Sequence, residues 1–368
     1  MIRRIALVSP YALSVFGGVQ EQVLAMSREL SSRELDVLVV APDDADQTVY
    51  DTPAQVRRFG ARLSLPANGS RAPLTLSPRA ARAARDTVLG FAPDVVHFHE
   101  PFAPLLGWST LRAHDVASVA TFHRHGSGPA FTLTRPLLRR LARGIDVASA
   151  VSEPAADTIR RAVGIEATVL FNGFETERFV ALPRVRTGEF VLACVGRLEE
   201  RKGVHVAIDA VRAHNTRDTD QWRLVVIGDG PERGRLEALA GHDESIVFAG
   251  ALPDASKRDW LRRSNVLIAP ALRGESFGLT LLEAMASETA VVASDILGYR
   301  EAAGAHAELF RAGDARDLER ALGQAIRSET AQSISAAREY AEHWSMKRLV
   351  NAYLALYADA VSRFKPAR

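Results

Sequence analysis

Short, continuous apolar runs separated by segments of helical periodicity constrain the fold of this chain more than any other feature. In the first half, the runs that predict strands span residues 5–8, 37–40, 95–99, 119–122 and 148–151, and a short strand is predicted at 56–59. In the second half, they span residues 190–195, 222–227, 246–248, 266–269 and 290–293. Apolar strands that alternate with helices are typical of parallel sheets covered by helices on both faces. The sequence therefore predicts an α/β fold in which polar residues that follow the strands gather at one edge of each sheet.

The length of the chain predicts two domains of this kind. The chain has 368 residues, and single hydrophobic cores stop growing at about 250–300 residues. Turn residues without a regular period occupy 172–188, which we expect to be a linker. A stretch with apolar residues at helical spacing, 347–364, predicts a long final helix.

Composition narrows the class of protein. A net charge of +2 is too small to argue for a nucleic-acid partner. The single cysteine, Cys194, can form neither an intrachain disulfide nor a metal cluster, which fits a reducing, cytoplasmic compartment. The first apolar run stops at Pro10, so a strand is favoured over a signal peptide. We expect no transmembrane helix, because no uncharged apolar stretch approaches the ~18 residues that a membrane span needs.

Two carboxylates eight positions apart, Glu275 and Glu283, follow the strand predicted at 266–269. We expect a buried helix that begins at Ser276 or Phe277. Glu275 then lies at or before a helix N-terminus, where free backbone N–H groups favour an anion. Two acids beside a row of amides suit a polyhydroxylated, phosphorylated ligand. The alternative is that Glu275 is a simple N-terminal charge and Glu283 a residue at a rim.

Glycines and cations after two other strands are candidates for binding phosphate. Gly17 and Gly18 follow the first strand and allow backbone to approach an anion closely. Arg197 and Lys202 flank a predicted helix start after Gly196, an arrangement that suits a diphosphate. The alternatives are a tight turn for the glycines and solvated side chains for the two cations.

Histidines mark the corresponding edge of the first predicted sheet. His123 ends a strand there, which makes it a candidate site residue, although a lone histidine is more often a structural hydrogen bonder. Strand alternation puts His97 and His99 on one strand face, without the fixed spacing of metal ligands. We therefore expect no metal site.

A basic stripe suggests a membrane surface as a partner. Arginines recur every three residues in a predicted helix and form a second run further along the chain. The first set is Arg79, Arg82 and Arg85, and the second is Arg135, Arg139, Arg140 and Arg143. Basic helices of this kind attract anionic lipid headgroups. The alternative is a solvated helix face.

Seven motifs occur in an order that resembles a known family. They are G-G-V-Q at 17–20, H-x-H-E-P at 97–101, T-F-H at 121–123, N-G at 172–173, G-R-x-x-x-x-K-G at 196–203, G-D-G-P at 228–231 and E-S-F-G-x-x-x-x-E at 275–283. Over nearly its whole length the chain resembles retaining glycosyltransferases of the GT-B fold, in the family four group. Within that group it is most similar to the phosphatidylinositol α-mannosyltransferases of actinobacteria.

The resemblance implies two Rossmann-like domains that face a central cleft, with the C-terminal helix returning to the N-terminal domain. It places an acceptor- and membrane-facing domain at 1–172 plus about 347–368, and a nucleotide-sugar-binding domain at 173–346. It also implies association with the inner face of the plasma membrane.

The implied activity is retaining transfer of a hexose, with mannose favoured, from a nucleotide-diphosphate sugar such as GDP-mannose to a lipid-linked or polyol acceptor such as phosphatidylinositol. Family members need no metal, and a divalent ion such as Mg²⁺ is compatible with the resemblance without being implied by it. The alternatives are a family four transferase that uses a UDP-sugar on another acceptor, a nucleotide-sugar epimerase, and a non-catalytic nucleotide-sugar- or lipid-binding protein.

The resemblance also assigns roles to residues. It implies that Arg197 and Lys202 hold the donor diphosphate, that Glu275 binds the transferred sugar and Glu283 the ribose, and that His123 lies beside sugar and acceptor. Further donor-binding positions are Gly17, Gly18, Gly196, Asp254, Lys257, Ser276, Phe277 and Gly278, of which Asp254 and Lys257 match a loop that contacts the base. Further acceptor- or membrane-binding positions are Gln20, Asn68, Arg79, Arg82 and Arg85. The residues that follow His123 depart from the mannosyltransferase pattern, so the acceptor stays open.

Overall fold

The computed structural model of the chain forms two compact units. The structure describes residues 2–15, 17–42, 50–61, 63–67, 70–103, 105–113, 115–123, 133–180, 190–217, 220–275 and 277–365. The first unit comprises Met1–Gly173 with Met346–Arg368, and the second comprises Phe174–Ser345. The expected boundaries lie one residue from these.

Eleven of the described strands follow the predicted runs, whereas the segments 63–67, 70–74, 168–169 and 308–310 were not predicted as strands. In the first unit they are β1 (Arg4–Val8), β2 (Asp36–Ala41), β3 (Gln55–Arg58), β4 (Leu63–Ala67), β5 (Ser70–Leu74), β6 (Val95–His99), β7 (Ala117–Phe122), β8 (Val147–Ala150) and β9 (Thr168–Val169). In the second unit they are β10 (Phe190–Val195), β11 (Trp222–Ile227), β12 (Ile246–Gly250), β13 (Val266–Ala269), β14 (Ala290–Ser294) and β15 (Glu308–Phe310).

Helices alternate with these strands. They are α1 (Gly18–Ser32), α2 (Pro78–Phe91), α3 (Leu106–Ala113), α4 (Arg135–Ala142), α5 (Glu153–Val163), α6 (Glu177–Val180), α7 (Val204–Arg217), α8 (Arg233–Ala240), α9 (Asp254–Arg263), α10 (Leu279–Ala286), α11 (Leu297–Ala303), α12 (Ala315–Ser328), α13 (Ala331–Glu342) and α14 (Met346–Arg363). Within the described ranges, no helix combines the length and the apolar composition that crossing a bilayer requires.

In the first unit, a parallel sheet in the order β3-β2-β1-β6-β7-β8-β9 separates two layers of helices. Ile5 and Leu7 of β1 face a core shared with α1 and α14, whereas Ala6 and Val8 face a core shared with α2 and α3. The buried residues of α14 recur at helical spacing, so the end of the chain packs as an amphipathic helix on the first sheet. The antiparallel pair β4–β5 was not predicted.

The second unit repeats the design with a parallel sheet in the order β12-β11-β10-β13-β14-β15. In both units the first strand lies in the middle of the sheet and the next two strands add on one side of it. The chain then crosses the sheet, and the remaining strands add on the other side. The neighbouring strands β1 and β6, and β10 and β13, mark the points where the order reverses. A crevice opens at such a point beyond the carboxyl ends of the strands, where α/β proteins bind ligands.

The predicted linker is partly wrong. Phe174 and Phe179 are buried and their rings pack edge to face with centroids 5.6 Å apart. Glu177–Val180 forms a short helix. The beginning of the predicted linker therefore belongs to the packed second unit, because two phenylalanines without a regular period still form a local apolar contact. Residues 181–189 lie outside the described part of the chain.

Gly203 fixes the turn between β10 and α7. Its φ of +65° lies in the left-handed region, where a side chain is strained. A Cβ atom there would lie 2.0 Å from the carbonyl oxygen of Pro270, just after β13. Only glycine therefore allows the turn that carries Lys202 to pack against the chain leaving β13.

We predict that Gly203→Ala lowers the free energy of unfolding by about 1–3 kcal/mol, because the methyl group overlaps backbone and the left-handed conformation is strained. Gly234→Ala is the matched control: Gly234 lies in α8 and a Cβ there meets nothing within 4 Å. This control is expected to raise stability by about 0.5–1 kcal/mol. Urea unfolding of both variants measures the difference, and equal stabilities would contradict the prediction.

Candidate active site

The loops after β10 and β13 meet at the reversal point of the second sheet. The backbone N–H of Leu272 donates to the carbonyl of Arg201 over 2.8 Å, which joins the two loops. Lys202 ends a short 3₁₀ helix in the first loop, and Glu275 lies in the second. The two loops therefore bring together side chains that are more than seventy positions apart in the sequence.

These side chains form an ionic group, the cation cluster, made of Arg197, Glu199, Arg201, Lys202 and Glu275. Oε1 of Glu275 lies 2.5 Å from Nζ of Lys202 and 2.7 Å from Nη1 of Arg201. Glu199 contacts Arg201 at 2.9 Å and Arg197 at 3.2 Å. Three cations share two carboxylates, so one positive charge is left over. Arg197 is the most exposed cation of the three, with 43% of its side chain accessible.

Arg201 is a member of this cluster that the motif spacing of Arg197 and Lys202 did not single out. Burial lowers the pKa of Arg201, but the carboxylates of Glu275 and Glu199 outweigh burial and raise the pKa above its ordinary value. The guanidinium thus stays charged and orients Glu275. Of the charged residues in 199–202, the sequence does not reveal which side chain the 3₁₀ turn directs toward Glu275.

The helix after Glu275 starts later than predicted. Helix α10 begins at Leu279, not at Ser276 or Phe277, because Gly278 adopts a left-handed conformation with φ of 83°. A Cβ atom on Gly278 would lie 2.7 Å from the ring of Tyr299. Glu275 therefore precedes the helix by a full turn, whereas Glu283 lies inside it.

Phe277 is anchored by packing. Its ring is buried and meets the ring of Trp344 with centroids 4.8 Å apart. Any contact of Phe277 with a ligand is thus left to its backbone. Ser276, the remaining donor-binding prediction in this loop, lies outside the described residues.

A second ionic group surrounds Glu283. Nζ of Lys257 lies 3.0 Å from Oε1 of Glu283 and 3.2 Å from Asp254. Asp254 also contacts Arg178 at 3.1 Å and Arg258 at 3.2 Å. Burial lowers the pKa of Lys257, but Glu283 and Asp254 outweigh it and raise the pKa. Asp254 and Lys257, which the resemblance matches to a base-contacting loop, lie on the first turn of helix α9, and their contact with a base stays a prediction.

In the first unit, a buried chain of polar side chains runs from α14 to the sheet. Nδ1 of His97 lies 2.8 Å from the hydroxyl of Tyr357, and its Nε2 lies 2.6 Å from the hydroxyl of Thr121. Thr121 also contacts Ser149 at 2.8 Å and the hydroxyl of Tyr353 at 2.9 Å. Both ring nitrogens of His97 are therefore satisfied, which lets a polar ring sit within the core.

His99 continues this chain to His123. The rings of His97 and His99 stack with centroids 4.4 Å apart, on the same face of β6. Nδ1 of His99 lies 3.0 Å from Nε2 of His123. Glu100 has a positive φ of 45°, and its carboxylate accepts a hydrogen bond from the backbone N–H of His123 over 2.5 Å. Strained backbone of this kind clusters at functional sites.

Burial keeps these histidines neutral. It lowers the pKa of His97 and of His123 to about 3, and it lowers the pKa of His99 well below the ordinary value. In the part of the chain that the structure describes, no group of three or more potential ligands is arranged to hold a metal ion.

The glycine pair and Gln20 lie at the start of α1. Gly18 is the first residue of the helix, and a Cβ on it would meet nothing within 4 Å, so space is open in front of its backbone. Gln20 is buried and its Nε2 donates to the carbonyl of Ala12 over 3.4 Å. A Cβ on Gly17 would lie 2.5 Å from the amide oxygen of Gln20. The Gln20 side chain thus supports the turn before the helix.

The basic stripe is only partly exposed. Arg79 and Arg82 are exposed on α2, whereas Arg85 is partly buried and its Nε is enclosed without a hydrogen-bond partner among the described residues. Leu63 and Leu76 lie nearby in sequence, with 46% and 39% of their surfaces exposed. Asn68, the remaining acceptor prediction, lies outside the described residues.

In the second basic run, one arginine has a structural role and two others are exposed at the surface. Arg135 donates to the carbonyls of Ala162 and Arg161 at the end of α5, over 2.7 and 2.8 Å. Its role is therefore to join α4 to α5. Arg139 and Arg140 remain exposed.

Two family models match the chain, one in each half. The model described as Glycosyltransferase Family 4 matches residues 16–178. The model described as Glycosyl transferases group 1 matches residues 189–328.

Curated relatives match over almost the full length. The phosphatidyl-myo-inositol mannosyltransferase of Mycobacterium leprae (strain TN) is 34% identical over 358 residues, which cover 93% of this chain and 94% of the relative. The protein of the same name from Propionibacterium freudenreichii subsp. shermanii is 30% identical, over 99% of this chain and 97% of the relative.

Solved structures share the fold. Sucrose-phosphate synthase from Thermosynechococcus elongatus superposes with a TM-score of 0.76 at 17% identity, over 98% of this chain and 99% of that one. The Anabaena protein HepE in complex with UDP and glucose superposes with a TM-score of 0.74 at 19% identity, over 96% and 99% of the two chains.

We predict that stability decreases in mild acid because of the buried histidines. Histidine in an unfolded chain has a pKa of about 6.5, and burial lowers the pKa of His97 to about 3 in the folded state. Between these values the unfolded state binds the proton and the folded state does not. The stability that each buried, neutral histidine contributes is therefore complete above about pH 6.5. Below that pH it decreases by about 1.4 kcal/mol for each pH unit.

Thermal unfolding at about pH 7.5 and about pH 5.5 measures this effect. His97→Gln is expected to reduce the difference in unfolding temperature between the two pH values. His343→Gln, which removes an exposed histidine, is the control. A His97→Gln variant with the full pH dependence of the unsubstituted chain would contradict the assignment.

Proposed function

The chain is a member of glycosyltransferase family 4 with the GT-B fold, and from this premise we propose that it transfers mannose, with retained configuration, from GDP-mannose to phosphatidylinositol or a related lipid-linked polyol. The main support for a nucleotide-diphosphate sugar as the donor is the cation cluster, which has one positive charge left over at the reversal point of the second sheet. The names of the relatives from Mycobacterium leprae and Propionibacterium freudenreichii support mannose and the lipid acceptor.

In this proposal, the cations act on the leaving group. As the bond between the sugar and the diphosphate breaks, negative charge grows on the departing phosphate. Arg197 and Lys202 supply fixed positive charge there, which is usually the largest contribution to catalysis at such a site. The same cations take the place that a divalent metal has in other transferases, so we propose that no metal is required.

The two carboxylates bind hydroxyl groups. Oε1 of Glu275 accepts from Arg201 and Lys202, so its other oxygen is left to accept from a hydroxyl of the sugar. Glu283 is held by Lys257 through both oxygens, at 3.0 and 3.1 Å. Each of those oxygens has a further lone pair with which it can accept from the ribose.

Retention is assigned to a front-face reaction. A carboxylate held between two cations is a weak nucleophile, which disfavours Glu275 as the group that attacks the sugar. The oxygen of the leaving phosphate instead accepts the proton of the acceptor hydroxyl, while the bond from sugar to acceptor forms on the same face.

The acceptor site is assigned to the first unit, at the surface of a membrane. Arg79 and Arg82 offer positive charge to anionic headgroups, and the exposed Leu63 and Leu76 offer apolar contacts. We therefore propose peripheral association with an anionic, cytoplasmic membrane face.

A transfer assay tests the function. The purified chain is incubated with GDP-mannose, UDP-glucose or ADP-glucose and with vesicles that contain phosphatidylinositol, in the presence of EDTA. Radiolabel in the lipid fraction from GDP-mannose alone is the expected result. Transfer from a UDP-sugar would overturn the donor, loss of activity in EDTA would overturn metal independence, and a changed sugar nucleotide without acceptor would indicate an epimerase.

We predict that Arg197→Ala lowers kcat for mannose transfer by about 100- to 1,000-fold, because the charge that grows on the phosphate loses a fixed partner. Arg263→Ala is the matched control, since Arg263 is an exposed arginine of the same unit outside the cation cluster. Steady-state kinetics with both variants measure the effect. Full turnover by Arg197→Ala would remove the basis of the proposed mechanism.

We predict that Arg79→Gln together with Arg82→Gln weakens binding to phosphatidylinositol-containing vesicles by about 30-fold, since each cation near an anionic surface contributes about 1 kcal/mol. The control is Lys347→Gln with Arg348→Gln, which removes two exposed cations from α14, on the other face of the first sheet. Vesicle sedimentation reports both affinities. Equal losses in the two double variants would argue against a specific surface on α2.

A further inference from the structure

The contact between His99 and His123 joins two ring nitrogens, only one of which carries the shared proton. Nδ1 of His99 lies 3.0 Å from Nε2 of His123, a distance at which one nitrogen donates and the other accepts. Both rings are neutral, because burial lowers both pKa values far below their ordinary range. Two arrangements are therefore open: His99 donates to His123, or His123 donates to His99.

The other nitrogen of His99 distinguishes these arrangements. Nε2 of His99 is buried and has no hydrogen-bond partner among the described residues. If His123 were the donor, His99 would carry its own proton on that enclosed nitrogen, since a neutral imidazole has one N–H. A buried N–H without an acceptor costs about 1–3 kcal/mol and is rarer than an unpaired acceptor. Donation by Nδ1 of His99 leaves only a lone pair in the enclosed position.

Glu100 favours the same arrangement. Its carboxylate accepts a hydrogen bond from the backbone N–H of His123 over 2.5 Å. Negative charge beside that backbone favours a proton on the ring nitrogen nearer to the backbone, which is Nδ1. With its proton on Nδ1, His123 has a lone pair on Nε2, where it accepts from His99.

His97 holds His99 in place. The two rings stack with centroids 4.4 Å apart, and both nitrogens of His97 are fixed by Tyr357 and Thr121. The ring of His99 is 1% exposed, so it cannot turn away without opening the core. The donor to His123 is thus preorganised by residues of β7 and α14.

We infer that His99 is a positioning residue that fixes His123 as the neutral tautomer with its proton on Nδ1. His123 then offers an N–H donor to an oxygen of the ligand, and its only lone pair on nitrogen is already used by His99. In the transfer reaction proposed above, on which this role rests, His123 orients a hydroxyl or phosphate oxygen and does not act as the base. The bond from sugar to phosphate breaks, the bond from sugar to acceptor oxygen forms, and the acceptor proton goes to the phosphate oxygen.

Nitrogen NMR of the full chain, labelled with ¹⁵N at histidine, reads which ring nitrogen carries the proton. The signals of His123 are identified by their loss in His123→Gln. A proton on Nδ1 is expected, and a proton on Nε2 would overturn the inference. This measurement needs no substituted His99 and no substrate.

Substitution of His99 tests the cause. His99→Phe keeps a flat ring against His97 but removes the donor, and we expect the His123 proton to redistribute between the two nitrogens. His99→Gln supplies an amide donor and is expected to restore the Nδ1–H tautomer. Tyr357→Phe is the control, because it removes a buried hydrogen bond of His97 and leaves the His99–His123 contact in place. An unchanged tautomer in a folded His99→Phe variant would overturn the role of His99.

Kinetics separate this inference from the proposed function. His99→Phe is expected to lower kcat by about tenfold, as losing a partner that orients a histidine does elsewhere, with KM for the donor little changed and with recovery in His99→Gln. If the tautomer shifts in His99→Phe while kcat stays constant, the proton on Nδ1 of His123 remains assigned. The role of His123 in sugar transfer would then be wrong.

Discussion

Mutual repulsion among Arg197, Arg201 and Lys202 is the constraint on which the second unit's site depends. Three cations on one loop are held together because Glu199 and Glu275 lie among them. Glu275 comes from the loop after β13, so the same contacts that balance the charge also join the loops on either side of the reversal point. A site built in this way is stable as a pair of loops and still carries a positive charge that an incoming diphosphate can neutralise.

The first unit differs from the second because its central polar side chains are buried and neutral. Its polar chain of hydroxyls and imidazoles is buried and ends at His123, which is partly exposed. Such a network specifies one arrangement of rings when every member is satisfied. Within this network, Nε2 of His99 is enclosed and has no partner among the described residues, so a buried N–H is left unpaired unless that nitrogen carries no proton.

Much of this arrangement could be predicted from the sequence, because parallel sheets impose it. Continuous apolar strands predict the element order, and the rule that ligands lie beyond the carboxyl ends of the strands predicts that Arg197, Lys202 and Glu275 share one region. Three features could not be predicted. Which charged side chain of residues 199–202 faces Glu275 depends on a 3₁₀ turn, and the start of α10 depends on the left-handed Gly278. His99 was placed on the correct strand face, but its bond to His123 depends on the pairing of β6 with β7, which no local pattern reveals.

Helix α14 has a consequence for the order in which the protein is made. The second unit is a contiguous segment, complete once residue 345 has been synthesised. The first unit takes residues from both sides of that segment, and Tyr353 and Tyr357, which contact Thr121 and His97, are synthesised only after the whole second unit. Domains generally fold as units during synthesis. A chain that stops at residue 345 therefore contains the whole second unit, whereas its His97 and Thr121 lack the tyrosine hydroxyls that contact them in the folded first unit.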